Sequence, residues 1–175
     1  MHKLRLTLAT LSLVACPVAL PGALAAQDTS AAAFRPFEFL VGSCWEGTFP
    51  GGRATDEHCF EPLYGRRFIR DRHVVRGGRE PYSGETTYAW DARSRRIVYW
   101  YVASDGAYST GHAEPEGDAI VFPETHVSES GTRELKNVWR QTGEDTYRIE
   151  VFEKTAAGSR LLWSMEMKRT RRTGG

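Results

Sequence analysis

The chain reads as an all-β protein: about ten antiparallel strands in an up-and-down barrel, behind a short N-terminal helical segment. Three observations predict this. Short runs with alternating apolar residues recur at spacings of about eight to twelve residues, separated by turn signals. No sustained helical period appears beyond the N-terminal region. The connections are short, so consecutive strands are neighbours, and a sheet built that way hides its two edges by closing on itself.

Residues 1–25 read as a secretory signal peptide. Lys3 and Arg5 precede a stretch from Leu6 to Leu20 that is almost entirely apolar or small, and Ala23-Leu24-Ala25 offers small residues for cleavage. Pro17 and Pro21 interrupt a run already too short to span a membrane. Leu13-Val14-Ala15-Cys16 also resembles a lipobox, which would anchor the chain by a lipid on Cys16; the apolar run continuing to Ala26 favours cleavage near Ala25 or Ala26. A periplasmic or secreted protein follows. Lys3 and Arg5 leave with the signal, taking 23 basic residues to 21 against 22 acidic ones. That balance argues against nucleic acid as a partner. Of the three cysteines, Cys44 and Cys59 remain, in a compartment where disulfides persist. No later segment is apolar enough to be transmembrane, and a monomer or weak homo-oligomer is expected.

Residues 26–35 form a small, polar leader, and residues 36–170 the barrel domain. Phe34, Phe37 and Phe39 with Leu40 suggest one or two helical turns, begun near Pro36 and closed at Gly42, that pack aromatics against a barrel end. The strand runs are 43–49, 54–61, 66–76, 83–91, 96–104, 107–113, 118–123, 132–141, 146–154 and 160–169. Residues 169–175 read as a basic, ragged tail.

Alternation assigns faces. Trp45, Gly47 and Phe49 share the apolar face of the first strand and point inward; Tyr147, Ile149 and Val151 share one face, as do Leu161, Trp163 and Met165. A turn at Gly51-Gly52 sets Cys44 opposite Cys59 on the outer face, within disulfide reach. It also sets His58 opposite Trp45 and Asp56 opposite Gly47, inside. A two-residue turn at Tyr64-Gly65 then sets Asp56 opposite His73, His58 opposite Asp71 and Phe60 opposite Ile69. An odd-length turn would instead send Asp71 and His73 outward. Two facing Asp-x-His pairs read as an ionic plug, as the polar end of a ligand cavity, or as a metal site. Their spacing is not that of a known zinc motif, and no metal is assigned.

Glu85 sits mid-strand. Val98, Trp100 and Val102 alternate with Tyr99 and Tyr101, so one aromatic set lines the interior. His112 and His126, near turns, read as exposed. The arginines from Arg66 to Arg79 make the third strand locally basic, read either as spread over both faces or as an anion-binding patch. No Gly-x-Ser-x-Gly, His-Glu-x-x-His, phosphate-binding glycine loop or Cys-x-x-Cys is present. Ser83 and Ser109 have no base partner recognisable in the sequence.

Phe39-Leu40-Val41-Gly42 leading into Cys44-Trp45-Glu46-Gly47, followed by about ten strands, resembles the calycin-type, lipocalin-like barrels. The stretch from Gly42 to Trp45 is similar to their Gly-x-Trp signature with one extra residue. The likeness is to small exported bacterial domains of uncharacterised function and, more distantly, to the nitrobindin haem barrels. It implies a closed barrel around a small, mostly apolar cavity that binds rather than catalyses. Nitrobindins hold haem through a late His; here no His follows His126, and no cofactor is expected.

The function expected is therefore binding of a small, partly apolar molecule. Trp45, Phe49, Tyr88, Trp100 and Trp163 are the candidate lining residues, with Asp56, His58, Asp71 and His73 at the polar end. An enzyme using an Asp–His acid/base pair, of hydrolase or isomerase type, is the alternative from another class. A filled barrel serving as a structural or interaction domain is the third.

Overall fold

Ten strands follow one another round a closed barrel: β1 (Ser43–Thr48), β2 (Thr55–Leu63), β3 (Phe68–Arg76), β4 (Tyr82–Asp91), β5 (Arg96–Ala103), β6 (Tyr108–Glu116), β7 (Ala119–Ser128), β8 (Gly131–Gly143), β9 (Thr146–Thr155) and β10 (Gly158–Arg172). Each pairs antiparallel with its sequence neighbours, and β1 pairs with β10 to complete the ring. The computed structural model describes residues 31–172. The expected signal peptide of residues 1–25, with Cys16, and the start of the expected leader lie outside the described residues. Among those described, no helix is long and apolar enough to cross a membrane.

The helical segment is a 3-10 turn at Arg35–Phe37 with Pro36 in its first positions, preceded by helical residues 31–33. Phe34 is buried against Phe37, so packing begins within the stretch assigned to the leader. Phe37 and Leu40 are fully buried, and Phe37 reaches Tyr88 and Phe122 at ring-centroid distances of 4.9 and 6.1 Å. Each such side chain contributes about 1.5–3 kcal/mol of burial. The segment therefore plugs one end of the barrel and leaves the interior beyond it to the strands.

Trp45 belongs to that plug. It points inward, but Phe39 and Tyr147 pack round it at 6.2 and 5.1 Å, and its indole N–H donates to the Leu40 carbonyl at 3.3 Å. The Arg169 guanidinium lies over its ring, 4.2 Å from the centroid, and donates to backbone carbonyls of Phe39 and Glu144. The expectation that Trp45 lines a cavity is corrected: these neighbours fill the space a ligand would need. The ragged tail is corrected as well, because β10 runs on to Arg172 and pairs with β1 there. Gly47, next inward on β1, has no room for a side chain, since a Cβ would stand 2.4 Å from Met167 Sδ and 2.8 Å from the Glu166 carbonyl.

The first hairpin has the expected register, with Cys44 opposite Cys59, Trp45 opposite His58 and Gly47 opposite Asp56. The cysteines form a disulfide on the outer face. The second hairpin differs. Its turn is four residues, 64–67, between the paired Leu63 and Phe68, because Tyr64, Gly65 and Arg66 all take positive φ. His58 thus faces His73, Phe60 faces Asp71 and Asp56 faces Val75. A slip of two residues keeps every side chain on its expected face. On the outside, Arg70 and Arg72 both reach Glu61 at 2.6 Å, while Arg76 and Arg171 reach Glu57 at 3.4 and 3.1 Å. The basic character of β3 is therefore an outer-face ionic network. Glu85 lies opposite Arg72 on that same outer face.

Three further differences bear on the interior. Trp100 faces outward and is 54% exposed, while Tyr99 and Tyr101 turn inward. A bulge in β10 between Leu161 and Trp163 turns Leu161 outward and Leu162 inward beside Trp163. Strand β7 does not end at Pro123. The ladder with β6 lapses between the pairs Gly111–Glu124 and Glu114–Val121, where Pro123 has no N–H to give, and resumes in the same register. The added length carries Glu124 and His126 onto the barrel wall.

Candidate functional site

Beyond the plug the barrel interior holds a cavity of about 480 Å³ that opens to solvent. Strands β2 and β3 give it one polar wall. Asp56 and His58 are inward because they alternate with Glu57 and Cys59; Asp71 and His73 are inward because they alternate with Arg70 and Arg72. All four are buried. His58 and His73, directly opposed, stack with ring centroids 4.8 Å apart and planes 20° from parallel. Their carboxylate partners come from diagonal positions, which long side chains can bridge.

His58 sits between two carboxyl groups: Nδ1 is 2.8 Å from Asp71 Oδ2 and Nε2 is 3.2 Å from Asp56 Oδ2. Carboxylate oxygens accept, so both ring nitrogens donate and the ring is an imidazolium. Burial alone would push its pKa down, but Asp71 and Asp56 outweigh that and lift it to about 10. Burial likewise favours a neutral Asp56, and His58 and His73 hold its carboxyl well below the usual range. His73 Nδ1 donates to Asp56 Oδ1 at 3.0 Å, and its Nε2 takes the Tyr101 hydroxyl at 3.0 Å, which in turn meets the Tyr82 hydroxyl. Gly84 makes room for this chain: a Cβ there would lie 2.6 Å from both His73 Nε2 and the Tyr101 hydroxyl.

These shifts give the fold a pH window. A raised His58 pKa means its stabilisation is complete below the unfolded value of 6.5 and is lost as pH rises toward about 10. A depressed Asp56 pKa means its stabilisation is present above the unfolded value of 3.8 and fades as pH falls below that. Urea midpoints of the wild-type chain are expected to fall from pH 6.5 toward 10; a midpoint flat across that range would show that His58 is not held charged.

A second polar group stands on the β6–β7 side. Tyr99 donates to Glu124 Oε2 at 3.0 Å, and burial pushes the Glu124 carboxyl up against the hydrogen bonds from Tyr99 and Asn137. Ser109 Oγ and His126 Nδ1 are 3.0 Å apart on paired residues, and burial with Arg133 pushes the His126 imidazole down. Ser109 and His126 have the contact of a nucleophile and base. Among the described hydrogen bonds, no carboxylate holds the other His126 nitrogen. Thr86, Arg133 and Asn137 also reach the wall, and the remainder is apolar and aromatic, with Phe122, Trp139, Ile149, Val151 and Leu162 prominent.

Of the sequence candidates, Phe49, Asp56, His58, Asp71, His73, Tyr88 and Trp163 line this cavity, while Trp45 and Trp100 do not. Glu124, His126, Ser109, Tyr99, Tyr101 and Trp139 line it without having been singled out as site residues. The Ser109 partner comes from the far side of Pro123, which hides the strand that carries it. His126 is correspondingly part-buried on the interior wall, not exposed at a turn.

No family model and no curated protein sequence matches the chain. Among solved structures, the barrel is similar to the crystal structure of Rv2717c from M. tuberculosis. The TM-score is 0.55 at 16% identity, covering 79% of this chain and 98% of that one. A likeness at that identity supports the barrel fold.

Proposed function

We propose that this is an exported barrel that binds a small, partly apolar molecule. The aromatic and aliphatic wall holds the apolar body of the ligand, and the cluster of Asp56, His58, Asp71 and His73 meets a polar group on it. The observation that carries this reading is the cavity itself. Its volume, about 480 Å³, falls within the range of roughly 300–1,000 Å³ usual for small-molecule sites, and its polar groups gather on two walls, β2–β3 and β6–β7, of a largely apolar space. Export is supported by the N-terminal pattern of residues 1–25 and by the Cys44–Cys59 bridge, which suits an oxidising compartment.

Native mass spectrometry of the protein purified after export is expected to show a retained mass in addition to the chain, and an anilinonaphthalene dye is expected to gain fluorescence on binding. Ile149→Trp, which extends a buried wall residue into the cavity, should abolish most of that gain while leaving the circular dichroism of the barrel intact. Absence of both a retained mass and any dye response from the wild-type chain would sink the binding reading. A dye response unaffected by Ile149→Trp would move binding away from this cavity.

A further inference from the structure

The polar wall has a donor geometry that an organic ligand does not require. Asp56 lies between two imidazole nitrogens, with His58 Nε2 at 3.2 Å from Oδ2 and His73 Nδ1 at 3.0 Å from Oδ1. One donor atom from each of the three residues lies within 4.8 Å of the others. Tetrahedral bonds of about 2.0–2.1 Å place ligand atoms roughly 3.4 Å apart, so a small inward movement of the two rings would bring them to bonding distance.

From this the geometry points to a site for one divalent first-row transition ion, of the Zn²⁺ class, held by Asp56, His58 and His73. Each imidazole turns one nitrogen toward the shared point and has the other fixed from behind, His58 by Asp71 at 2.8 Å and His73 by Tyr101 at 3.0 Å. Outer partners of this kind orient metal-binding histidines and raise their basicity. Asp71 supplies a second, independent sign. It is 2% exposed, lines the same cavity, and its Oδ1 has no hydrogen-bond partner among the described residues. Uptake releases one proton: His58 gives up its Nε2 proton, and the His73 proton moves from Nδ1 to Nε2, where it donates to the Tyr101 hydroxyl, so that the dication takes over the positive charge the two buried carboxyl groups face. Two imidazoles and one carboxylate suit Zn²⁺ and its neighbours better than Ca²⁺ or Mg²⁺, which favour all-oxygen sites. All three ligands come from one wall, so the remaining coordination position faces the cavity, as in sites that keep a place for water or a ligand.

This inference goes beyond the binding reading, and metal uptake and dye binding can fail separately. The exported chain with its disulfide intact is stripped by chelator and titrated with ZnCl₂ and CoCl₂ alone, followed by calorimetry and visible absorption. Saturation near one equivalent is expected, with Co²⁺ bands typical of a four- or five-coordinate ion. His73→Ala and Asp56→Asn should each weaken uptake by about tenfold or more. Tyr101→Phe retains all three ligands and the fold, and should weaken it by about ten- to a hundredfold through loss of the His73 outer partner. His126→Ala, on the other wall, should leave uptake unchanged. Absence of heat and of Co²⁺ bands at excess metal overturns the site. So does uptake that survives both His73→Ala and Asp56→Asn, or that is lost in His126→Ala.

Discussion

His58→Ala is expected to destabilise the barrel by about 3–5 kcal/mol at neutral pH, the range for removing one partner of a buried ionic group. The residue is the cation between Asp56 and Asp71, and its removal leaves buried carboxyl groups facing each other with only His73 nearby. Domains of this kind are stable by about 5–15 kcal/mol, so the loss is a large share of the total. Urea unfolding at neutral pH measures it. Asp71→Asn placed in the His58→Ala background should recover part of the loss, because it removes an uncompensated charge rather than a contact. A loss under about 1 kcal/mol would mean that water in the cavity solvates the carboxylates well enough to replace the imidazolium.

The disulfide carries the second large effect. Cys44 and Cys59 are 15 residues apart, and closing a loop of that length stabilises by about 3 kcal/mol. The paired change Cys44→Ala and Cys59→Ala is therefore expected to lower stability by about that amount, read from the urea midpoint against wild type. The fold should persist, since the bridge lies outside the barrel and the register it ties is also set by the Gly51-Gly52 turn. Unchanged stability would show that the turn and ladder already restrict the unfolded chain as much as the bridge does.

Those two elements were read from the sequence to different depths. The cysteine pair fell into place because one glycine turn sets one register and the two cysteines then meet. The histidine cluster was legible only up to the length of one turn. Parity decides face: an odd-length turn would have sent Asp71 and His73 outward, and the four-residue turn, even like the two-residue one expected, keeps them inside. Which residues oppose one another depends on turn length. That rests on Tyr64 and Arg66 taking positive φ, a conformation such residues seldom adopt and no residue type announces.

The aromatic strands were harder for a related reason. In β5, Tyr99, Trp100 and Tyr101 put large aromatics on both faces, so alternation gives no polarity, and the interior went to the tyrosines. Glu124 and His126 escaped because Pro123 ordinarily stops a strand. Here the ladder skips the proline and continues, helped by Gly111, whose missing side chain admits the Pro123 carbonyl at 2.3 Å from where a Cβ would be.

The sequence alone determined the all-β class, the succession of ten strands, and the first-hairpin register that sets Cys44 against Cys59 and turns Asp56 and His58 inward. These rest on local signals: period, turn residues and parity. The tertiary structure decided the rest. It moved Trp45 from a ligand wall into the plug, because Arg169 and Tyr147 arrive beside it from distant β10 and β9. It set His58 against Asp71 across a diagonal and brought Ser109 to His126. Contacts of that kind depend on register, bulges and barrel closure, which are properties of paired strands and are not carried by any one of them.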